Sequence, residues 1–175
     1  MNERPSRNYR GCPPSSRRVR RSKTIAIKNY TTDVPVNKTV SEIHLMLADH
    51  SAKRILFDYG PDSRISAICF VIDGPWGEQA VRLPANVEPV RAVLRRQKNN
   101  PKVRNRSAID DSLEQAERVA WRIVKDWLDA QLAILETEMV SVQQVFMPYF
   151  MDKQGRTLYE AYATGHLMLE GEREK

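Results

Sequence analysis

The chain has 175 residues, of which 41% are hydrophobic and 29% charged, the balance of a soluble globular protein with one substantial core. No apolar run approaches the ~20 residues of a membrane span, and no apolar stretch follows the basic N-terminus as in a secretory signal. The net charge of +6 is unevenly placed: residues 1–23 hold eight basic side chains against Glu3, and residues 90–109 hold seven with no acid. The remainder is therefore net acidic, and a mildly acidic body with two basic segments favours contact with a polyanion.

Residues 1–23 are rich in Pro, Ser and Arg and almost without aliphatic side chains, so they read as a disordered basic arm carrying Arg17, Arg18, Arg20 and Arg21. A single α+β domain is expected over 24–169, with a frayed tail at 170–175. In Thr24–Thr31, Ile25 and Ile27 alternate with polar residues and predict a short strand. Thr39-Val40-Ser41-Glu42 has the pattern of a capping box and predicts a helix start there, with Val40, Ile43, Met46 and Leu47 on its apolar face. His44 and His50 lack a neighbouring Cys or His at ligand spacing, so neither predicts a metal site.

Ile55, Phe57 and Tyr59 alternate with polar residues as one strand. The turn Gly60-Pro61-Asp62-Ser63 follows, then the nearly continuous apolar run 65–72, which suits a central strand buried on both faces. Asp73-Gly74-Pro75-Trp76-Gly77 is a second turn, before a strand with Val81 and Leu83. Two tight connections imply an antiparallel meander of three to four strands. Asn86 predicts the cap of a helix with Pro89 in its first turn; Val87, Val90, Val93 and Leu94 face inward, with Arg91, Arg95 and Lys98 outward.

The longest element is predicted over Asp110–Glu138, an amphipathic helix of roughly 40 Å against which the meander and shorter helices pack. One apolar row runs through Leu113, Ala116, Ala120, Ile123, Val124, Trp127, Ile134 and Leu135; a second holds Trp121, Leu128, Leu132 and Met139. Trp127 and Ile123 are expected to be almost fully buried, and Trp121 and Trp127 to anchor the core rather than stack on bases. Ser112-Leu113-Glu114-Gln115 predicts a capping box. Arg118, Arg122 and Lys125 form a basic row that Asp126 and Asp129 are placed to neutralise. Ser141–Gln144 opens a short helix limited by Pro148. Thr157-Leu158-Tyr159-Glu160 caps a last one, with Leu158, Ala161, Tyr162 and Met168 facing inward.

Several strings carry a family likeness: Lys28-Asn29-Tyr30-Thr31-Thr32, Arg82-Leu83-Pro84-Ala85-Asn86-Val87, Gln115-Ala116-Glu117-Arg118-Val119-Ala120-Trp121-Arg122 with Lys125-Asp126-Trp127, and Gly155-Arg156-Thr157-Leu158-Tyr159-Glu160. Over roughly residues 24–165 the chain resembles a family of small proteins of unknown function encoded by bacteriophages and prophages. The resemblance implies the cytoplasm of a bacterial host and supplies no catalytic residue.

No nucleotide loop, serine elbow or zinc spacing is present, so neither an enzyme nor a cofactor is expected. The turn acids Asp58, Asp62, Asp73 and Glu78 would suit a nuclease metal site only if gathered, and acids at turns usually bond local backbone. Cys12 and Cys69 occupy unlike contexts, one polar and one apolar, and do not predict a disulfide. The segment holding Arg91, Arg95, Arg96, Lys98, Lys102, Arg104 and Arg106 has no acid within it. Together with the arm it is the candidate nucleic-acid-binding surface, for DNA or RNA, through phosphates. The alternative partner is a host protein, for which an exposed apolar patch is the signature.

Overall fold

The computed structural model describes residues 25–75 and 77–165. Among these residues, five α-helices accompany one three-stranded antiparallel sheet, an α+β fold. The arm 1–23, with Arg17, Arg18, Arg20 and Arg21, lies outside the described residues, as do Trp76, Met168 and the tail.

The helix α1 spans Val36–Asp49. It starts three residues before the predicted box, with Pro35 as its N-cap at φ −59°, a value the pyrrolidine ring presets. Thr39 is thus an interior helical residue, fully buried, and not a cap. The predicted strand at 24–31 is absent from 25–31: the chain there is irregular, then turns with Asn29 at φ +63°. Ile25 is 84% exposed, so its alternation with Ile27 did not report a buried face.

The strands β1 (Arg54–Tyr59), β2 (Ile65–Gly74) and β3 (Gly77–Pro84) form the predicted meander in the order β1-β2-β3. Gly60 to Ser63 makes the first turn, closed by Ser63 N donating to Gly60 O at 3.0 Å and Gly60 N to Arg64 O at 2.8 Å. Central β2 buries Ala67, Ile68, Cys69 and Phe70 in succession, so both its faces are covered there. One bridge, Val81 with Phe150, extends the β3 edge in place of a fourth strand.

Helix α2 covers Val87–Lys98 and α3 covers Leu113–Glu136. At 24 residues α3 is about 36 Å long, a little shorter than predicted. Asp110 belongs to its cap instead: its carboxylate accepts Ser112 N at 2.8 Å and Ser112 Oγ at 3.0 Å. At the other end Glu138, at φ +56°, has left the helical region. The second apolar row proves the deeper one. Trp121, Leu128 and Leu132 are buried with Ile68, Phe70, Val81 and Leu83, whereas Ile123 and Trp127 are only partly buried. Met139 lies beyond the helix and is 76% exposed. Trp127 still contributes edge contacts to Phe146 and Tyr149, with ring centroids 6.0 and 5.4 Å away.

The last helices are α4 (Val142–Phe146) and α5 (Leu158–Ala163). Both start where the sequence predicts, and both open on reciprocal boxes, Ser141 with Gln144 and, as predicted, Thr157 with Glu160. Tyr162, expected inside, is half exposed. A second apolar cluster joins Leu94, Val103, Ile109, Ala116 and Val119. It fixes α2 and the following loop onto the first half of α3. No helix among the described residues is long and apolar enough to cross a membrane.

Candidate nucleic-acid interface

The basic segment is held by apolar residues spaced for one helical face. In α2, Leu94 is fully buried and Val87 and Val90 partly so. The opposite side then carries Arg95, Arg96 and Lys98 into solvent. Beyond α2 the loop 99–109 is pinned twice, by Val103 (4% exposed) and Ile109 (2%). Between these anchors Asn100 Oδ1 accepts Lys102 N at 3.0 Å, and Asn105, at φ +58°, feeds the 3₁₀ turn Arg106–Ala108. Lys102 and Arg104 flank buried Val103 in sequence and are exposed, as is Arg106.

The segment is not free of acidic neighbours. Asp111 lies just past it and gathers three of the seven cations. Its carboxylate stands 2.5 Å from Lys98 Nζ and 3.6 Å from Arg95 Nε, while its backbone carbonyl accepts Arg91 Nε at 3.3 Å. The hydrogen bond from Lys98 holds the Asp111 carboxyl below its ordinary value. That leaves Arg96, Lys102, Arg104 and Arg106, exposed and with no ion pair from their side chains among the described residues. These four are the cations still available to an external anion.

The other basic row on α3 is engaged within the chain, largely by different partners from those predicted, and among the described residues only its Arg122 and Lys125 meet carboxylates. Lys125 meets Asp129 at 3.6 Å as expected. Arg122 instead reaches Glu42 on α1 at 2.6 Å, and Arg118 donates Nε and Nη2 to Gln115 Oε1 at 2.9 and 2.6 Å. Asp126 serves Lys28 and Asn29, at 2.9 and 2.7 Å.

The turn acids do not converge. Asp62 and Asp73 lie towards opposite ends of ten-residue β2, which spans roughly 30 Å. Asp58 pairs with Arg82 at 2.8 Å and Asp62 with Arg64 at 3.4 Å, while Asp73 and Glu78, opposed across the β2–β3 hairpin, share Lys53 at 2.6 and 3.6 Å, Glu78 also meeting Arg54 at 3.1 Å. Cys69 is a buried free thiol whose Sγ donates to Asp58 Oδ2 at 3.5 Å. Burial first, and the Asp58 charge second, push it up to about 11, so it is not a nucleophile at neutral pH.

A groove of about 740 Å³ was not foreseen. It lies between the β3–α2 connection, the first turns of α3 and the segment 148–160, with Pro84, Pro89, Pro148, Tyr149 and Tyr159 in its wall. Its arginines are already engaged. Arg64 bridges Glu117 (3.0 Å) and Asp62 (3.4 Å), and Arg82 bridges Asp58 (2.8 Å) and Glu160 (3.8 Å). The groove holds the N-terminal end of α2, and the basic surface its C-terminal end, so they are separate features of one helix. The three wall prolines, each at an element boundary, were the one trace of it in the sequence.

No protein-family model matches this chain, and no curated protein or solved structure does so.

Proposed function

We propose that this chain binds nucleic acid through its phosphates, without base selection, and that it does so as a phage accessory protein, the setting its family resemblance implies. The observation that carries this reading is the set Arg96, Lys102, Arg104 and Arg106: exposed cations without an internal acid, on a loop pinned by buried Val103 and Ile109. A pinned loop presents its charges at lower entropic cost than a flexible tail does. Lys98 and Arg95 lie beside them as a reserve shared with Asp111. The eight cations of residues 1–23 add avidity.

Phosphate contacts carry no base information, so affinity is nearly independent of sequence and falls steeply with salt. The test is fluorescence anisotropy with labelled single- and double-stranded oligonucleotides between roughly 50 and 200 mM salt. Replacing the four cations by Gln weakens binding and flattens the salt slope by about 0.9 for each phosphate no longer neutralised. Absence of wild-type binding at the low-salt end ends this reading.

Binding of a host protein is supported by a different feature. Tyr159 and Tyr162 stand one turn apart on α5, 64% and 50% exposed, with Tyr159 also lining the groove. Tyrosines so placed suit a partner surface better than a phosphate chain. Affinity capture from host lysate with and without nuclease separates the two readings: captured protein that survives nuclease treatment and is lost in Tyr159→Ala favours the second.

A further inference from the structure

Strand β1 is the open edge of the sheet. In the order β1-β2-β3 it has, among the described residues, a backbone partner on one side only, whereas the outer edge of β3 takes Phe150 across from Val81 and accepts Met151 N on Ala80 O at 2.8 Å. The one irregularity in the β1–β2 ladder falls in β2. Asp58 pairs with Ala67 and Tyr59 with Ile65, so Ser66 is the extra residue and β1 runs regular from Arg54 to Tyr59. Bulges and lysines commonly guard an edge against further pairing. Here the bulge is on the other strand, and Lys53 is drawn aside to Asp73 at 2.6 Å and Glu78 at 3.6 Å.

The side chains of this edge are complementary to themselves. Arg54, Leu56 and Asp58 share the outer face, and their alternates Ile55 and Phe57 face the core. All three outer residues are open: Leu56 is 58% exposed, and the Arg54 and Asp58 side chains 65% and 43%. Two antiparallel copies related by a twofold must bring like faces together, so the axis passes through a residue and not between two. An axis at Ile55 sets Leu56 against Arg54, and one at Phe57 sets it against Asp58. Only an axis at Leu56 places Arg54 opposite Asp58 twice, Leu56 opposite Leu56, and Ile55 opposite Phe57. Opposite charges and an aromatic beside a β-branched residue are the favourable cross-strand pairs. The chain's own contacts, Arg54 with Glu78 and Asp58 with Arg82, reach across β2 to β3 and still leave the two β1 side chains open to solvent.

We propose that a second copy of this chain docks antiparallel on β1, centred on Leu56, and joins the two sheets into one. This interface is independent of the nucleic-acid reading and stands or falls by itself. Light scattering behind size exclusion gives twice the 20.2 kDa chain mass for the full-length protein. In a Cys12→Ser, Cys69→Ala background, which also removes the thiol opposed to position 56 on β2, Leu56→Cys forms a disulfide-linked dimer on mild oxidation, because opposed residues in an antiparallel pair lie within bridging distance. Met139→Cys, more exposed than Leu56 but far from β1 in sequence, serves as the control and does not. Arg54→Asp and Asp58→Arg each weaken the dimer about tenfold or more by opposing like charges. Their equimolar mixture associates again, since every charge then meets its opposite. Circular dichroism establishes that each variant is folded, and if Asp58→Arg is not, the Leu56→Cys cross-link decides. A monomer at every concentration overturns the proposal, as does a dimer in which Leu56→Cys fails to cross-link.

Discussion

Asp111 holds Lys98 at 2.5 Å across the junction between α2 and α3, and the same carboxylate faces Arg95 at 3.6 Å. The carboxylate closes the loop 99–109 and at the same time offsets the charge of two solvent-exposed cations. Asp111→Asn keeps the shape and removes the charge, so it tests both consequences. Oligonucleotide binding becomes tighter and its salt slope steeper, by about 0.9 for each cation recruited. A lower melting temperature with unchanged binding would mean that Lys98 and Arg95 do not reach the nucleic acid. The sign with pH also follows. The Asp111 carboxyl lies below its ordinary 3.8, with the Lys98 hydrogen bond as the main cause. The clamp therefore stabilises the fold above that value and is lost as pH falls through the lower folded one.

Core depth along α3 separates residues that share its apolar stripe. Leu128 is fully buried among Ile68, Phe70, Trp121 and Phe146, whereas Ile123 is only partly covered. Leu128→Ala leaves a cavity that rigid neighbours cannot close and costs about 2–5 kcal/mol. Ile123→Ala has solvent at hand to fill the space and costs about 1–2 kcal/mol. Ile134→Ala, at 36% exposure, stays near ~0.5 kcal/mol. Urea melts of the three variants give the order directly, and equal losses for Leu128→Ala and Ile123→Ala would contradict it.

What could be read from the sequence was what local periodicity and local hydrogen bonds decide. Helix α3, the apolar run of β2, the helix start at Ser141 and the box at Thr157 are all set within a few residues, and all were legible. Thr39-x-x-Glu42 misled because the same spacing occurs inside a helix, where Thr39 faces the core. Residues 25–32 misled for the opposite reason, since their partners are distant. Ile27 N donates to Gln97 Oε1 at 2.9 Å, 70 positions on, and Asn29 Nδ2 to Asp126 at 2.7 Å, 97 positions on. The basic segment was legible as composition, but not which charges were free. That depended on Asp111, which only the packing of α2 on α3 brings beside Lys98. The groove is assembled from four distant parts of the chain, residues 62–66, 82–89, 113–117 and 148–160, and left no periodic signal.

His50 links the ends of α1 and α3. Its Nδ1 donates to Met46 O at 2.8 Å and its Nε2 lies 3.0 Å from Glu136. The Met46 carbonyl is the main cause that raises the imidazole above its ordinary 6.5, outweighing burial, with Glu136 adding to it. A raised folded value favours the protonated form, so the contribution is complete below 6.5 and fades as pH rises through the folded value. The melting temperature should therefore be higher at about pH 6 than at about pH 8, and His50→Gln should flatten this difference. An NMR titration of the ring reads the shift itself. Glu136→Gln should reduce it only in part, because the larger cause is the backbone carbonyl.

Gln115 is the residue through which α3 holds the chain's entry into the fold. It is 4% exposed, and its Nε2 donates to the carbonyls of Tyr30 and Thr32, each at 3.0 Å. Its Oε1 takes both Arg118 bonds, so every polar group of the side chain is satisfied. This is why the predicted box at Ser112 closes on one side only: Ser112 Oγ accepts Gln115 N at 3.2 Å, while the amide that would return the bond is used elsewhere. Gln115→Leu fits the space but removes all four bonds and strands two carbonyls and a guanidinium. The loss should be about 1–3 kcal/mol, the range for buried polar groups left unpaired. Hydrogen exchange localises the effect, with faster exchange expected over 27–34 while the amides of β2 change only with global stability. A Gln115→Leu protein that loses stability uniformly, with no local change at 27–34, would show that the entry segment is held by Asn29, Asp126 and Gln97 instead.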